Sequence, residues 1–234
     1  MSAQPSIKAC IFDMDGLLLD TESIYSEVTN RILAPYGKTF PLATKLKMMG
    51  RDVRTATNIL LEDLQLPLTF DEYNSQALAL KQQLFGEAEL MPGVEKLLRH
   101  LSKHKIPIAV ATSSARPMFD LKTGKHQDLF ALFQGNITCG DDPAIEHAKP
   151  APDLFLTAMK RLGKGLTSAD CLVFEDASNG IAAATNAKMS SIWVHDMRFS
   201  PDGSVPEGIH GATERVTTLV DFDPAKYGLP RYDS

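Results

Sequence analysis

Short apolar runs that end in polar clusters recur along the chain. Lys8-Ala9-Cys10-Ile11-Phe12 leads directly into Asp13-Met14-Asp15-Gly16, and Ile106 to Ala111, Gly135 to Cys139 and Cys171 to Phe174 have the same form. Ser191 to Val194 makes a fifth. Runs this short and continuous suit strands buried on both faces, as in a parallel sheet. Between them the apolar spacing changes to three and four, at Val94, Leu97, Leu98 and Leu101, and again at Leu154, Phe155, Ala158, Met159 and Leu162. That spacing predicts helices over 94–103 and 153–162. Strand alternating with helix implies right-handed crossovers, hence an α/β fold with a doubly wound parallel sheet of Rossmann-like form.

One segment breaks the rhythm. From Asp20 to Glu89 no buried strand is evident, only amphipathic stretches such as Tyr25 to Leu33 and Tyr73 to Phe85. The pattern predicts an inserted all-helical domain over residues 20–89, with the α/β core built from 1–19 and 90–234. Met91-Pro92-Gly93 punctuates the return to the core. After His195 the chain is rich in turn formers, and its last residues are expected to pack on the outside of the core.

Composition narrows the function. A chain of 234 residues with 44% hydrophobic and 23% charged residues is an ordinary globular protein. A net charge of −5 with no basic run argues against a nucleic acid polymer as partner. No apolar run approaches the ~20 residues that span a bilayer, so no membrane association is expected. Cys10, Cys139 and Cys171 each lie in an apolar run, which suits reduced core thiols. With no apolar leader before Lys8, the expectation is a cytoplasmic protein, and a monomer by default.

The polar clusters carry the chemistry. Asp13 and Asp15 emerge at the carboxyl end of a parallel strand, where such folds place ligands. Clustered carboxylates repel, and a hard cation such as magnesium is the natural neutraliser. Gly16 permits a tight turn whose amides can cradle phosphate oxygens, although the same quartet also suits a plain turn or a calcium loop. Thr112-Ser113-Ser114 follows the second run, either as a helix cap or as a holder of phosphoryl oxygens. Lys149, in a loop fixed by Pro150 and Pro152, is either a surface charge or a phosphate contact. Glu175-Asp176 ends the Cys171 run, as helix-cap chemistry or as further ligands. Four such elements on four strand ends are hard to read as caps alone.

Taken in order, Asp13-x-Asp15, Thr112, Lys149 and Glu175-Asp176 resemble the motif set of the haloacid dehalogenase superfamily, and the helical insertion resembles the cap of its β-phosphoglucomutase-like branch. Phe119-Asp120-Leu121-Lys122-Thr123, Gly140 to Pro143 and Tyr227 to Pro230 are not catalytic motifs, yet they resemble the subgroup of pseudouridine-5′-phosphatases and plant-type glycerol-3-phosphatases. The resemblance implies a phosphatase in which Asp13 is the nucleophile and Asp15, keeping a proton, is the general acid and base. It implies Mg2+ held by Asp13, the carbonyl of Asp15 and Asp176, with Glu175 behind them. Met14, Gly16, Thr112, Ser113 and Lys149 would surround the phosphate. From the cap, Thr21, Glu22, Tyr25, Gly50, Arg51 and Arg54 are the candidates for choosing a small phosphorylated metabolite.

Pseudouridine 5′-phosphate is the first substrate expectation, followed by glycerol 3-phosphate, flavin mononucleotide and sugar phosphates. Tyr25 stands near where mutases of the branch carry a histidine, which favours hydrolysis. A different reading is a binding or regulatory protein that keeps the metal site without turnover. The full set of motif residues speaks against it. Relatives usually place glycine where Lys188 ends a helix, so Lys188 must take a left-handed geometry or the end must be built differently.

Overall fold

The computed structural model describes residues 6–49, 51–199 and 211–233. Among them, six parallel strands form one sheet: β1 (Ala9–Phe12), β2 (Ile108–Ala111), β3 (Ile137–Thr138), β4 (Cys171–Glu175), β5 (Ser190–Val194) and β6 (Glu214–Val216). Their spatial order is β3-β2-β1-β4-β5-β6. The first five fall on the apolar runs. β6 departs from the sequence reading because Glu214-Arg215-Val216 holds one apolar residue, and a strand at the sheet's edge has a single neighbour to satisfy.

Between β1 and β2 lie four helices, α1 (Thr21–Leu33), α2 (Leu42–Met48), α3 (Val53–Asp63) and α4 (Phe70–Leu84), followed by α5 (Val94–Lys103). Then come α6 (Arg116–Thr123), α7 (Gln127–Phe130), α8 (Asp153–Leu162) and α9 (Ser178–Asn186). α5 and α8 occupy the spans that the apolar spacing predicts. The α1 helix starts where Asp20 accepts from the Ser23 amide, and α4 starts in a reciprocal box between Thr69 and Glu72. Val28, Ile32, Leu33, Leu60, Tyr73 and Ala77 give α1, α3 and α4 a core of their own.

Alternation along the strands divides the main core in two. Cys10, Phe12, Val110, Leu172 and Phe174 face α5 through Val94, Leu97, Leu98 and Leu101. The rings of Phe12 and Phe174 stack across adjacent strands at 4.6 Å. On the opposite face Ala9, Ile11, Ala109 and Ala111 meet Ala158 of α8 and Ala183 and Ala184 of α9. Small side chains there let both helices lie close to the sheet.

The end of the chain is part of this core, which corrects the expectation that it lies outside. Phe222, Tyr227 and Leu229 are buried in the same cluster as Phe12 and Phe174. Phe222 meets Phe174 edge-on, and the Ile7 amide donates to the Tyr227 carbonyl at 3.0 Å. Two aromatic rings among turn formers supply the apolar area that the turn residues lack. Lys188 does take the left-handed geometry, with φ of 58°.

Candidate active site

Strand register assembles the site. Phe12 pairs with Val110 on one side and Phe174 on the other, so Asp13, Thr112 and Asp176, one or two residues further on, leave the sheet at the same carboxyl end. Lys149 arrives from the loop before α8, through a cis bond to Pro150. Its ammonium lies 2.5 Å from Asp13 Oδ1, 2.7 Å from Glu175 Oε1 and 3.2 Å from the Ala111 carbonyl. The Lys149 side chain is 3% exposed. Burial works against its charge, but Asp13 and Glu175 outweigh that and hold its pKa above the ordinary lysine value. Burial, reinforced by Glu175 and Asp15, pushes Asp13 up to about 7 against the pull of Lys149.

Carboxylate oxygens of Asp13, Glu175 and Asp176 lie within 4.8 Å of one another. Burial, with Glu175 and Asp13 nearby, raises the Asp176 carboxyl well above its ordinary value, and its Oδ1 is buried without a partner. Crowded, orphaned oxygen donors are what a hard divalent cation would satisfy, so the residues fit Mg2+. Both Glu175 oxygens are already engaged, Oε1 by Lys149 and Oε2 by the Ala177 amide. That leaves Asp13 and Asp176 as the side chains free to serve such an ion. Gly180 gives Glu175 its room, since a Cβ there would fall 1.7 Å from Oε1.

The loop after β1 departs from the sequence reading at Gly16. Its amide donates to the Leu19 carbonyl at 2.9 Å and is not available to a phosphate. What the glycine supplies is space: its φ is +82°, and Asp176 lies against the position a Cβ would occupy. Among the described residues, the amides of Met14, Asp15 and Ser113 have no backbone acceptor, whereas those of Asp13 and Thr112 donate to Phe174 and Thr138. Met14 and Thr112 are fully buried, and Ser113 is exposed at the rim.

The sequence reading gave Asp15 no charged partner, and the structure gives it one. Lys122 of α6 reaches Asp15 Oδ1 at 2.6 Å, and Ser114 Oγ donates to Oδ2 at 2.8 Å. Lys122 also donates to Ser114 Oγ at 2.9 Å, and Thr112 Oγ1 stands 3.5 Å from Asp15 Oδ2. A signal for Lys122 was present: Phe119, Lys122 and Thr123 share one helical face, and the two flanking residues suit a buried face.

The cap candidates divide. Glu22, Tyr25 and Arg51 line a cavity of about 310 Å³ with Thr29, Tyr73 and Lys81. Glu22 pairs with Lys45 at 2.9 Å, and Tyr25 meets Phe85 edge-on at 5.3 Å. Thr21 is buried at the start of α1 with its hydroxyl unpartnered. Arg54 is exposed on α3 and lies over the Phe70 ring at 4.1 Å, outside the lining of that cavity. Gly50 lies outside the described residues. Lys45 and Lys81, which line the cavity too, carry no mark in the sequence because a lysine on a helix is ordinarily a solvated charge.

Residues 7–188 match the haloacid dehalogenase-like hydrolase family, and the chain belongs to it. It is an enzyme of the phosphatase class, in keeping with the motifs at its strand ends. It is 44% identical over 223 residues to the probable pseudouridine-5′-phosphatase of Drosophila melanogaster, spanning 95% of this chain and 94% of that one. With (DL)-glycerol-3-phosphatase 2 of Arabidopsis thaliana it shares 42% identity over 231 residues, 97% and 94% of the two chains. Among solved structures, a protein provisionally described as a β-phosphoglucomutase from Thermotoga maritima superposes with a TM-score of 0.72 at 28% identity, over 90% of this chain and 94% of that one. No helix among the described residues is long and apolar enough to cross a membrane.

Proposed function

We propose that the chain hydrolyses a small phosphomonoester through an aspartyl phosphate on Asp13, with pseudouridine 5′-phosphate as the foremost substrate. The observation that carries this reading is Asp13 itself, buried beside Lys149 and facing Asp15 and Asp176. An Asp13 oxygen attacks phosphorus as the bond to the leaving oxygen breaks, and Asp15 supplies the proton to that oxygen. Asp15 then takes a proton from water, whose oxygen attacks the same phosphorus and frees Asp13. Lys149, Thr112 and the amides of Met14, Asp15 and Ser113 hold the phosphoryl oxygens throughout. Asp13, the Asp15 carbonyl and Asp176 would hold Mg2+, which when bound neutralises charge around the transferring group.

Residues 20–89 act in this reading as the cap that admits the leaving group. A cavity bordered by Tyr25, Tyr73, Lys81 and Arg51 suits a planar, polar group. The 44% identical relative named for pseudouridine 5′-phosphate supports that choice, and the glycerol-3-phosphatase at 42% supports the second.

The test compares kcat/KM with Mg2+ for pseudouridine 5′-phosphate, glycerol 3-phosphate, flavin mononucleotide and sugar phosphates. Asp13→Asn should abolish turnover and the hydroxylamine-labile phosphoenzyme alike. Absence of magnesium-dependent phosphate release across the panel would defeat the reading, and the non-turnover alternative would replace it.

A further inference from the structure

Lys122 is a lysine in a place that packing alone gives no reason to fill with one. Its side chain is 2% exposed, and its ammonium lies 4.4 Å from the Phe85 ring centre and 5.7 Å from that of Tyr25. Burying an ammonium costs several kcal/mol, and an apolar side chain of similar volume does as well or better in such a place. The two hydrogen-bond partners of Lys122 are Asp15 and Ser114, and the Ser114 hydroxyl itself donates to Asp15. Lysine, serine and aspartate thus close a small ring of contacts whose one member in the reaction path is Asp15. Asp15 keeps 23% of its side chain exposed toward the site, while the lysine behind it is sealed. The seal comes from the segment between β1 and β2: Tyr25 belongs to α1, and Phe85 directly follows α4.

We propose that Lys122 is a positioning residue which, with Ser114, fixes the Asp15 carboxyl group at the orientation needed for proton transfer to and from the leaving oxygen. The inference rests on the proposed phosphatase mechanism and adds to it a residue from outside the four motif positions. Lys122 donates protons to hydrogen bonds and gives none up. In the first half-reaction the proton passes from Asp15 to the leaving oxygen as the P–O bond breaks. In the second it passes from water to Asp15 as the water oxygen bonds to phosphorus and the P–O bond to Asp13 breaks. Lys122 holds one Asp15 oxygen through both, and Ser114 holds the other. Tyr25 and Phe85 keep water from competing for the lysine, which strengthens the contact.

Leaving groups of different chemistry separate positioning from mere structure. p-Nitrophenyl phosphate releases a stable phenolate that needs no proton, whereas pseudouridine 5′-phosphate and glycerol 3-phosphate release an alkoxide that does. In single-turnover experiments with Mg2+, Lys122→Met should form the phosphoenzyme from p-nitrophenyl phosphate within about threefold of the wild-type rate. Formation from the alkyl esters should slow by about a hundredfold, the scale of general acid catalysis, and breakdown of the phosphoenzyme should slow with every substrate. Ser114→Ala should show the same pattern more weakly. The retained p-nitrophenyl reaction doubles as proof that the variant is folded.

Equal losses on both ester classes in both variants would overturn the proposal, as would wild-type rates on all three esters. If the wild-type protein forms no phosphoenzyme from any of them, the phosphatase mechanism falls first. If it does and the variants match it, only the role of Lys122 falls.

Discussion

Gly16 and Asp176, far apart in sequence, are in contact: a Cβ on Gly16 would lie 2.3 Å from Asp176 Oδ2. Gly16→Ala therefore meets two obstacles, a φ of +82° that costs an L residue about 1–2 kcal/mol and a carboxylate that must move aside. Displacing a site group by about 1 Å commonly costs ~100-fold in rate. The expected outcome is a loss of that size in kcat together with a raised Mg2+ requirement, read from turnover across a Mg2+ titration. A normal half-saturating Mg2+ concentration would remove Asp176 from the proposed ion site.

Among the described residues, Lys149 is the single cation between Asp13 and Glu175. Lys149→Met leaves both carboxylates buried without it, an arrangement that costs about 3–5 kcal/mol. Urea midpoints should fall accordingly, and turnover should drop by more than ~100-fold. Adding Asp13→Asn to Lys149→Met should recover part of the stability and none of the activity, since the two residues share one interaction. Additive stability changes would contradict the coupling.

His195 is a buried histidine at the end of β5. It is 3% exposed, its Nε2 is buried without a partner, and it packs against Trp193 at 4.4 Å. Burial first, then Arg215, lowers its pKa below the ordinary histidine value. The folded state therefore binds fewer protons than the unfolded one. His195 contributes stability above an unfolded pKa of about 6.5, and that contribution is lost as pH falls through the lower folded value. Urea midpoints at pH 7.5 and 5.5 should differ less in His195→Asn than in the wild type, and an unchanged difference would sink the assignment.

Lys188 ends α9 with φ of 58°, a conformation that glycine adopts without strain. Lys188→Gly should gain about 0.5–1 kcal/mol, the left-handed strain relieved less the added freedom of the unfolded chain. Urea denaturation would register it, with kcat unchanged because the position is remote from Asp13. A loss of stability would mean that the lysine side chain makes up for its own strain.

How much could be read from sequence varies with the range of the interaction. Strand runs and the helices at 94–103 and 153–162 are local patterns, so they were legible; Asp13, Thr112 and Asp176 follow from their place at strand ends, and Lys149 from the proline-fixed loop that opens α8. β6 was not legible because an edge strand with one buried residue carries no apolar run. Lys122 is half legible: Phe119 and Thr123 mark a buried helical face, but a lysine there is ordinarily solvated until Phe85 and Tyr25 arrive from another segment to seal it. The role of Gly16 depends on a side chain from β4's far end, which no local pattern records.

The sheet order sets when the sheet can assemble during synthesis. β1 is translated early yet sits between β2 and β4, and β4 is translated late. Until β4 emerges, one edge of β1 is open, and the apolar face of Phe12 awaits its stacking partner Phe174. Pairings this distant in sequence form slowly and leave a sticky edge in the meantime. The growing chain thus has a long interval in which a chaperone can help, and the Asp13 carboxyl cannot meet Asp176 until β4 has left the ribosome.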